Sequence, residues 1–469
     1  MFERLDAQKP ALKKLIAALR ERYPYASVLA TDEHFRSWRV SKNGITISSE
    51  GDGGYGFVIR VFDETGCAEY SINAFSEEMI PQIVKEMQTR FEVECSALPE
   101  GITPMPTAIP DDSPAVLKKE AKYEIDPMDV GDEAILDLIR RIREKGMQAE
   151  NILDIACNVT YCAERKLFLS EHRDLDETHM WTNAGVGAFG SRGEEVKDSY
   201  QGYSMLGGAE LLKEVENDVD EVTRRLNDLL QSEPMIPGEY ECVCDPEVTG
   251  MIVHEAFGHG VEMDMFVKDR AQAKQFIGEY VASPLVTMHD GSAVDECATW
   301  AFDDEGTLTG DTVIIDKGVL RRGMCDALSA MRLGTKPTGN GRRESYERKA
   351  YTRMTNTYFE SGDATKEEMI ASIKYGFLLE EPTSGMEDPK NWGIQCMVNV
   401  AREIRDGKLT GKVFSPIVLT GYVPDLLKSV SMMGGKVELA GGGYCGKGYK
   451  EWVKVSDGGA YMKARIRLG

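Results

Sequence analysis

Leu12, Leu15, Ile16 and Leu19 recur at helical spacing in the opening segment, with basic residues scattered between them. This predicts an amphipathic helix rather than the unbroken apolar core of a signal peptide. Short alternating stretches follow (SWRVSKN, GITISSEG and YGFVIRVFD), divided by Asn43-Gly44 and the Gly-rich 51–56, which predicts a small antiparallel meander. Residues 76–90 return to helical periodicity and should cover that sheet. Next come a helix over 133–145, strands over 151–158 and 166–170, and a long amphipathic helix over 207–232. Beyond Gly238 the pattern is a strand, one helix and many short β-like runs with Gly-rich turns. The expected fold is α+β: an N-terminal α/β half (1–235) with an antiparallel sheet and covering helices, and a β-rich C-terminal half (236–469). Glu233-Pro234 and Ile236-Pro237-Gly238 mark the boundary, and the proline-dotted stretch 98–114 marks a subdomain break inside the first half.

Composition narrows the classes. The chain has 469 residues, 42% hydrophobic, with 55 Lys+Arg against 78 Asp+Glu for a formal charge of −23. A charge this negative repels a phosphate backbone, so direct nucleic-acid binding is not expected. No run approaches the roughly 20 apolar residues of a membrane-spanning helix, and the expected location is cytoplasmic. Ten cysteines spread without a dense framework read as reduced thiols. Cys242 and Cys244 would share one face of a strand, as a metal pair or, the expectation here, as buried thiols. Two Gly-rich stretches imitate nucleotide loops. Gly185-x-Gly187-x-x-Gly190 follows no apolar strand, and in Gly441 to Lys447 the next residue is Gly448 where a phosphate loop needs a hydroxyl, so neither is read as one.

The sharpest chemical signal is HEAFGHGVEMD, with His254, Glu255, His259, Glu262 and Asp264. Neutral imidazoles ligate zinc, and an adjacent carboxylate can take a proton from the zinc-bound water; His254, His259 and Glu255 supply both. The spacing is unusual. Histidines four apart stand about 40° apart around a helix, whereas five apart stand about 140° apart, too far for one metal. The helix must therefore deform, and Gly258 and Gly260 place a π-bulge or a helix end at 257–260. A catalytic zinc needs a third protein ligand. Residue chemistry leaves Glu262, Asp264 and the cysteines open, with Cys445 favoured among the thiols by its flanking glycines. His34, His172, His179 and His289 lack a partner pattern and read as surface or packing residues.

These segments, with DDEGT (303–307), PTGNGRRESY (337–346), RMTNTY (353–358), CGK (445–447) and, more faintly, Asn43-Gly44 and residues 54–60, resemble the TldD/PmbA family of zinc metalloproteases, on its TldD-like branch. The resemblance implies His254, His259 and Cys445 as ligands of one Zn2+ per chain, Glu255 as general base, and the C-terminal half as the catalytic one, carrying the zinc-binding helix. It also implies unfolded or flexible peptide substrates, and a homodimer, or a heterodimer with a PmbA/TldE-like subunit, that encloses the site. Arg342, Arg343 and Tyr346 are candidate donors to substrate or oxyanion, and Glu262 and Asp264 candidate supports behind the ligands. The tail after Cys445 and EDPKNWGIQC (387–396) depart from the family pattern, which bears on substrate preference. The family's other name, modulator of DNA gyrase, supplies the alternative: a non-catalytic module acting through a protein partner.

Overall fold

The computed structural model describes residues 2–49, 54–96, 109–447 and 451–469, so most of the expected break at 98–114 lies outside the described residues. The chain is α+β and strand-rich, built on two large sheets.

The first sheet holds β1 (Tyr25–Ser41), β2 (Gly44–Ser49), β3 (Gly56–Phe62), β4 (Cys67–Ile72), β5 (Ala115–Lys119), β6 (Ile152–Leu169), β7 (Arg173–Arg192) and β8 (Glu195–Met205). Its main path runs β4-β3-β1-β6-β7-β5, antiparallel except where β5 joins β7. Side chains alternate across a strand. Thus Ile155, Cys157, Val159, Tyr161, Ala163, Leu167 and Leu169 of β6 share one face, buried under the helices Glu3–Arg20, Ile80–Ser96, Asp132–Gly146 and Val219–Leu229. The opposite face, with Thr160, Cys162, Glu164 and Lys166, looks into a cavity.

Two expectations need correction. The strands over 151–158 and 166–170 are one 18-residue strand, because the charges at the expected break are neutralised in place: Arg165 pairs with Asp176 on β7 at 2.8 Å and the adjoining Lys166 with Asp304 at 2.7 Å. The helix over 207–232 is broken into the 3-10 turn Ala209–Leu211 and the helices Leu212–Val215 and Val219–Leu229. Gly208 cannot be helical lining, since it lies extended against Ile125 O, and Asn217-Asp218 are residues whose side chains compete with helical hydrogen bonds. The G-x-G-x-x-G stretch, with the residues before it, is interior to β7 and paired on both sides, so it forms no loop that opens a helix.

The second sheet holds β9 (Gly238–Cys244), β10 (Met288–Gly291), β11 (Asp311–Asp316), β12 (Val319–Leu320), β15 (Asn356–Phe359), β16 (Tyr375–Asp388), β17 (Gly393–Arg405), β18 (Lys408–Phe414), β19 (Ile417–Tyr422), β20 (Met432–Ala440) and β23 (Ser456–Leu468). Two ribbons stand apart: β13 (Gly341–Arg342) with β14 (Tyr351–Thr352), and β21 (Tyr444–Lys447) with β22 (Glu451–Lys454). Because β9 pairs with both β16 and β23, the strands β23-β19-β17-β16-β9 close on themselves. The motif helix leaves β9 and packs against β15, β16, β17 and β23, which is why it is buried on nearly every side.

The halves meet through paired charges and apolar contacts. Arg60 meets Glu305 at 2.7 Å, Lys166 meets Asp304, and Phe302 and Tyr346 pack against Leu29, Val58 and Phe168.

Candidate metal centre

The helix begins with Asp245, whose side chain accepts the Val248 N–H at 2.8 Å, and Pro246 in its first turn. It is α-helical over Pro246–Met251, a π-helix over Ile252–Gly258, and a 3-10 turn over His259–Val261, after which the chain turns extended at Glu262. Both expected deformations occur, one after the other. The His259 N–H donates to His254 O five residues back, so the wider turn brings the two rings to one face, 5.1 Å between centroids. A side chain at Gly258 would meet Met354 Sδ at 2.3 Å, which explains glycine there.

The third donor is Cys445 on β21. Its Sγ is 3.5 Å from His259 Nε2, and the ligand atoms of His254, His259 and Cys445 all lie within 4.8 Å of one another. An ion bonded to nitrogen at about 2.0–2.1 Å and to sulfur at about 2.3 Å in tetrahedral array separates those atoms by about 3.6 Å, so this donor set fits zinc. Arg353 holds the hairpin by donating to Cys445 O at 2.5 Å and Glu451 O at 2.6 Å.

Behind the ligands stand charges of alternating sign. Glu262 Oε2 lies 3.4 Å from His259 Nδ1, and Lys447 Nζ bridges Glu262 (2.9 Å), Asp264 (2.7 Å) and Thr352 O (3.0 Å). Glu262 thus orients His259, while Asp264 supports Lys447. Burial alone would raise the Glu262 carboxyl, but Lys447, His259 and Arg353 hold it well below the carboxylate range. Burial would likewise raise the Cys445 thiol, yet the flanking histidines bring it down to about 5. The two imidazoles are correspondingly raised against their own burial by the adjacent thiolate. A thiolate stabilised only by positive neighbours is a donor set suited to a cation.

Glu255 lies a quarter exposed beside the triad, its Oε2 3.8 Å from His259 Nε2, and burial raises its carboxyl despite the two histidines. With His254 it lines a cavity of about 1630 Å³ walled by both halves of the chain. Gly385 of β16 presses on it: a Cβ there would be 2.5 Å from Glu255 Cγ.

Arg342, Arg343 and Tyr346 also line this cavity, but their contacts go to the chain itself. Arg342 donates to Met354 O at 2.6 Å, Arg343 to Glu69 on β4 at 2.8 Å, and the Tyr346 ring covers Gly56. Cys242 and Cys244 are buried in β9 with thiols raised by burial, and they belong to no cluster of metal-capable groups among the described residues. His179 packs on Trp300, and His289 sits between Asp311 (2.7 Å) and Glu360 (2.9 Å). Sequence reasoning gave no role to Lys447, Arg353, Asp457 or Glu387. Burial pushes Asp457 up to about 6 beside His254 and Glu255, and the solvent-shielded Glu387 carboxyl, beside Gly260, is pushed well up. Lys447 in CGK, Arg353 in RMTNTY and Glu387 in the divergent 387–396 segment lie in stretches the sequence singles out, whereas Asp457 carries no signal.

The strand-rich α+β chain thus brings two histidines and a cysteine, a donor set suited to a metal ion, to the edge of a large cavity. Residues 237–461 match the PmbA/TldA metallopeptidase C-terminal domain. The chain is 31% identical over 284 residues to a metalloprotease of Methanothermobacter thermautotrophicus, covering 60% of this chain and 61% of that one. It is 30% identical over 249 residues to a zinc metalloprotease TldD homolog of Saccharolobus solfataricus, covering 52% and 55%. The matches therefore span less than two thirds of either relative's length. TldE from Thermococcus kodakarensis shares the fold over 97% of this chain and 100% of its own, with a TM-score of 0.71 at 16% identity. The C-terminal part of the chain, residues 237–461, thus carries a PmbA/TldD-family domain, and the relatives it resembles are named metalloproteases. Among the described residues no helix is long and apolar enough to cross a membrane.

Proposed function

We propose that the chain is a zinc-dependent peptidase, with 236–469 as the metallopeptidase unit, 1–235 as the opposite wall of the cavity, and His254, His259 and Cys445 holding one zinc. The observation that supports this reading is the π-turn, which brings two histidines to one face with the Cys445 thiol of the β21 hairpin within 4.8 Å, next to a carboxylate that opens to a cavity. Zinc bound there would act as a Lewis acid, polarising a peptide carbonyl and making water a better proton donor. Glu255, with its raised carboxyl, accepts a proton from water on attack and returns it to the leaving amine. Glu262 and Lys447 keep His259 in one tautomer and orientation, and Gly385 leaves room for the Glu255 stem. A cavity bounded by two packed sheets admits extended chains rather than folded loops, which supports unfolded or flexible peptides as substrates. The reading includes a dimer, with a second copy or a TldE-like subunit, in the cytoplasm.

The test is an unstructured peptide library with a folded control, incubated with zinc-loaded protein alone and with a PmbA-like partner, and read as new termini by mass spectrometry. Glu255→Gln should keep about one zinc per chain and lose cleavage, because an amide preserves shape but accepts no proton. Cleavage that survives Glu255→Gln would remove that residue from the mechanism. Capture of a protein with no new termini under any pairing would replace the peptidase by a binding module.

A further inference from the structure

The cavity wall carries a buried ammonium that this chemistry does not use. Lys454, at the end of β22, is 8% exposed. Its Nζ donates to Asn183 Oδ1 at 2.6 Å and lies 4.2 Å from the Trp181 ring centre and 4.6 Å from that of Tyr444. The two other buried lysines each have a carboxylate, Lys166 with Asp304 at 2.7 Å and Lys463 with Glu241 at 2.9 Å. Lys454 forms no ion pair among the described residues. Glu296, in the same corner, accepts the Cys297 N–H at 2.9 Å instead.

An ammonium has three protons, and only one goes to Asn183. The asparagine is itself fixed, since its Nδ2 donates to Gly441 O at 3.3 Å, which turns its oxygen toward the lysine. Burying a cation without a counter-charge is costly, and burial holds this lysine down to about 8, so an anion reaching it would remove that cost. Lys454, Asn183, Trp181 and Tyr444 line the same cavity as His254 and Glu255. The hairpin register places them near the centre: Tyr444 pairs with Lys454, and Cys445 with Val453 on the next rung, so the ammonium and the thiolate project from opposite faces of one ribbon.

We propose that Lys454, oriented by Asn183, is a subsite for a carboxylate of the bound peptide, either its C-terminal carboxylate or an Asp or Glu side chain, and that it sets the register of the peptide over Glu255. The proposal rests on the peptidase reading, but its test does not depend on turnover. Full-length zinc-loaded Glu255→Gln protein is titrated, by fluorescence anisotropy, with a labelled unstructured peptide in four forms: free acid or C-terminal amide, each with an internal Glu or Gln. A charge-assisted hydrogen bond predicts binding roughly ten- to a hundredfold tighter for forms that carry the recognised carboxylate. The acid-against-amide arm and the Glu-against-Gln arm tell which carboxylate it is. Adding Lys454→Met should reduce the preference to less than about twofold, while Lys454→Arg should keep most of it. Equal binding of all four forms with Lys454 intact overturns the subsite without any variant at that position, as does a preference that survives in a folded Lys454→Met protein. If Glu255-intact protein cuts no peptide while the preference persists, the peptidase reading fails and the subsite stands. Cutting without preference has the reverse meaning.

Discussion

Lys447→Met is the most informative perturbation of the centre, because it leaves every ligand in place and removes only the charge behind them. The ammonium sits 2.9 Å from Glu262 and 2.7 Å from Asp264, carboxylates that are 1% and 5% exposed. Removing one partner of a buried ion pair costs about 3–5 kcal/mol, since the remaining charge is left in low dielectric. Glu262 retains Arg353 at 3.7 Å and Asp264 retains Lys268 at 3.0 Å, so about 3 kcal/mol, the lower end, is expected. The change also reaches the metal. Without Lys447 the Glu262 carboxyl protonates more readily, ceases to accept from His259 Nδ1, and frees that ring, which should weaken zinc binding roughly 10- to 100-fold. The sign with pH follows from the depressed Glu262 carboxyl. Its contribution is present above the unfolded value of about 4.3 and is lost as pH falls toward the lower folded value. The stability gap between wild type and variant should therefore be fully open at pH 7 and narrow below about pH 4. Competition with a chromophoric chelator at pH 7, and thermal unfolding from pH 3.5 to 8, measure the two effects. Lys268→Met, which removes a half-exposed cation, serves as the control and should shift stability by less than about 1 kcal/mol. Zinc affinity within twofold of wild type and an unchanged melting profile for Lys447→Met would refute the view that this lysine supports the centre.

Gly385→Ala should place a methyl carbon 2.5 Å from Glu255 Cγ and 3.2 Å from Cys396 Sγ, so the Glu255 side chain must shift. Turnover should fall roughly 100-fold with zinc content unchanged, as for a general base displaced by about 1 Å, and unchanged kcat would show that Glu255 is not the base. The Cys445 thiol, held at about 5, should be alkylated by iodoacetamide in metal-free protein at a rate that levels off above about pH 6. A Cys67→Ser, Cys95→Ser background removes the half-buried thiol among the described side chains and the one outside them, and zinc should protect. A rate still climbing tenfold per pH unit between 6 and 8 would deny the thiolate–imidazolium arrangement.

The parts of the centre legible in the sequence were those in which local geometry conflicts with ligand geometry. Histidines five apart cannot share a metal on a regular helix, so a wider turn or a helix end was implied before any coordinates, and glycines at 258 and 260 said where. Cys445 is favoured among the thiols by its flanking glycines, but only the family resemblance chooses it over the carboxylates, since 186 residues separate it from His259 and no periodicity connects them. The same separation hides the supporting charges. Lys447 and Arg353 lie in segments that carry the resemblance, CGK and RMTNTY, but nothing there assigns them a role, and nothing in the sequence around Asp457 or Lys454 distinguishes them from surface charges; burial and partners contributed by remote segments give all four their roles. The errors in the fold have the same origin. Residues 159–165, ending in Glu164 and Arg165, fall between two expected strands, yet they stay in one strand because Asp176 neutralises Arg165, as Asp304 does the adjoining Lys166. Hydropathy treats a charge as a sign of solvent, which fails wherever the fold can offer it a counter-charge. In this chain that happens on both faces of the first sheet: Lys166 meets Asp304 at the wall of the cavity, whereas Arg165 meets Asp176 and Asp6 on the face beneath the helices, so a charge that breaks a hydrophobic pattern points to a counter-charge from a remote segment rather than to solvent.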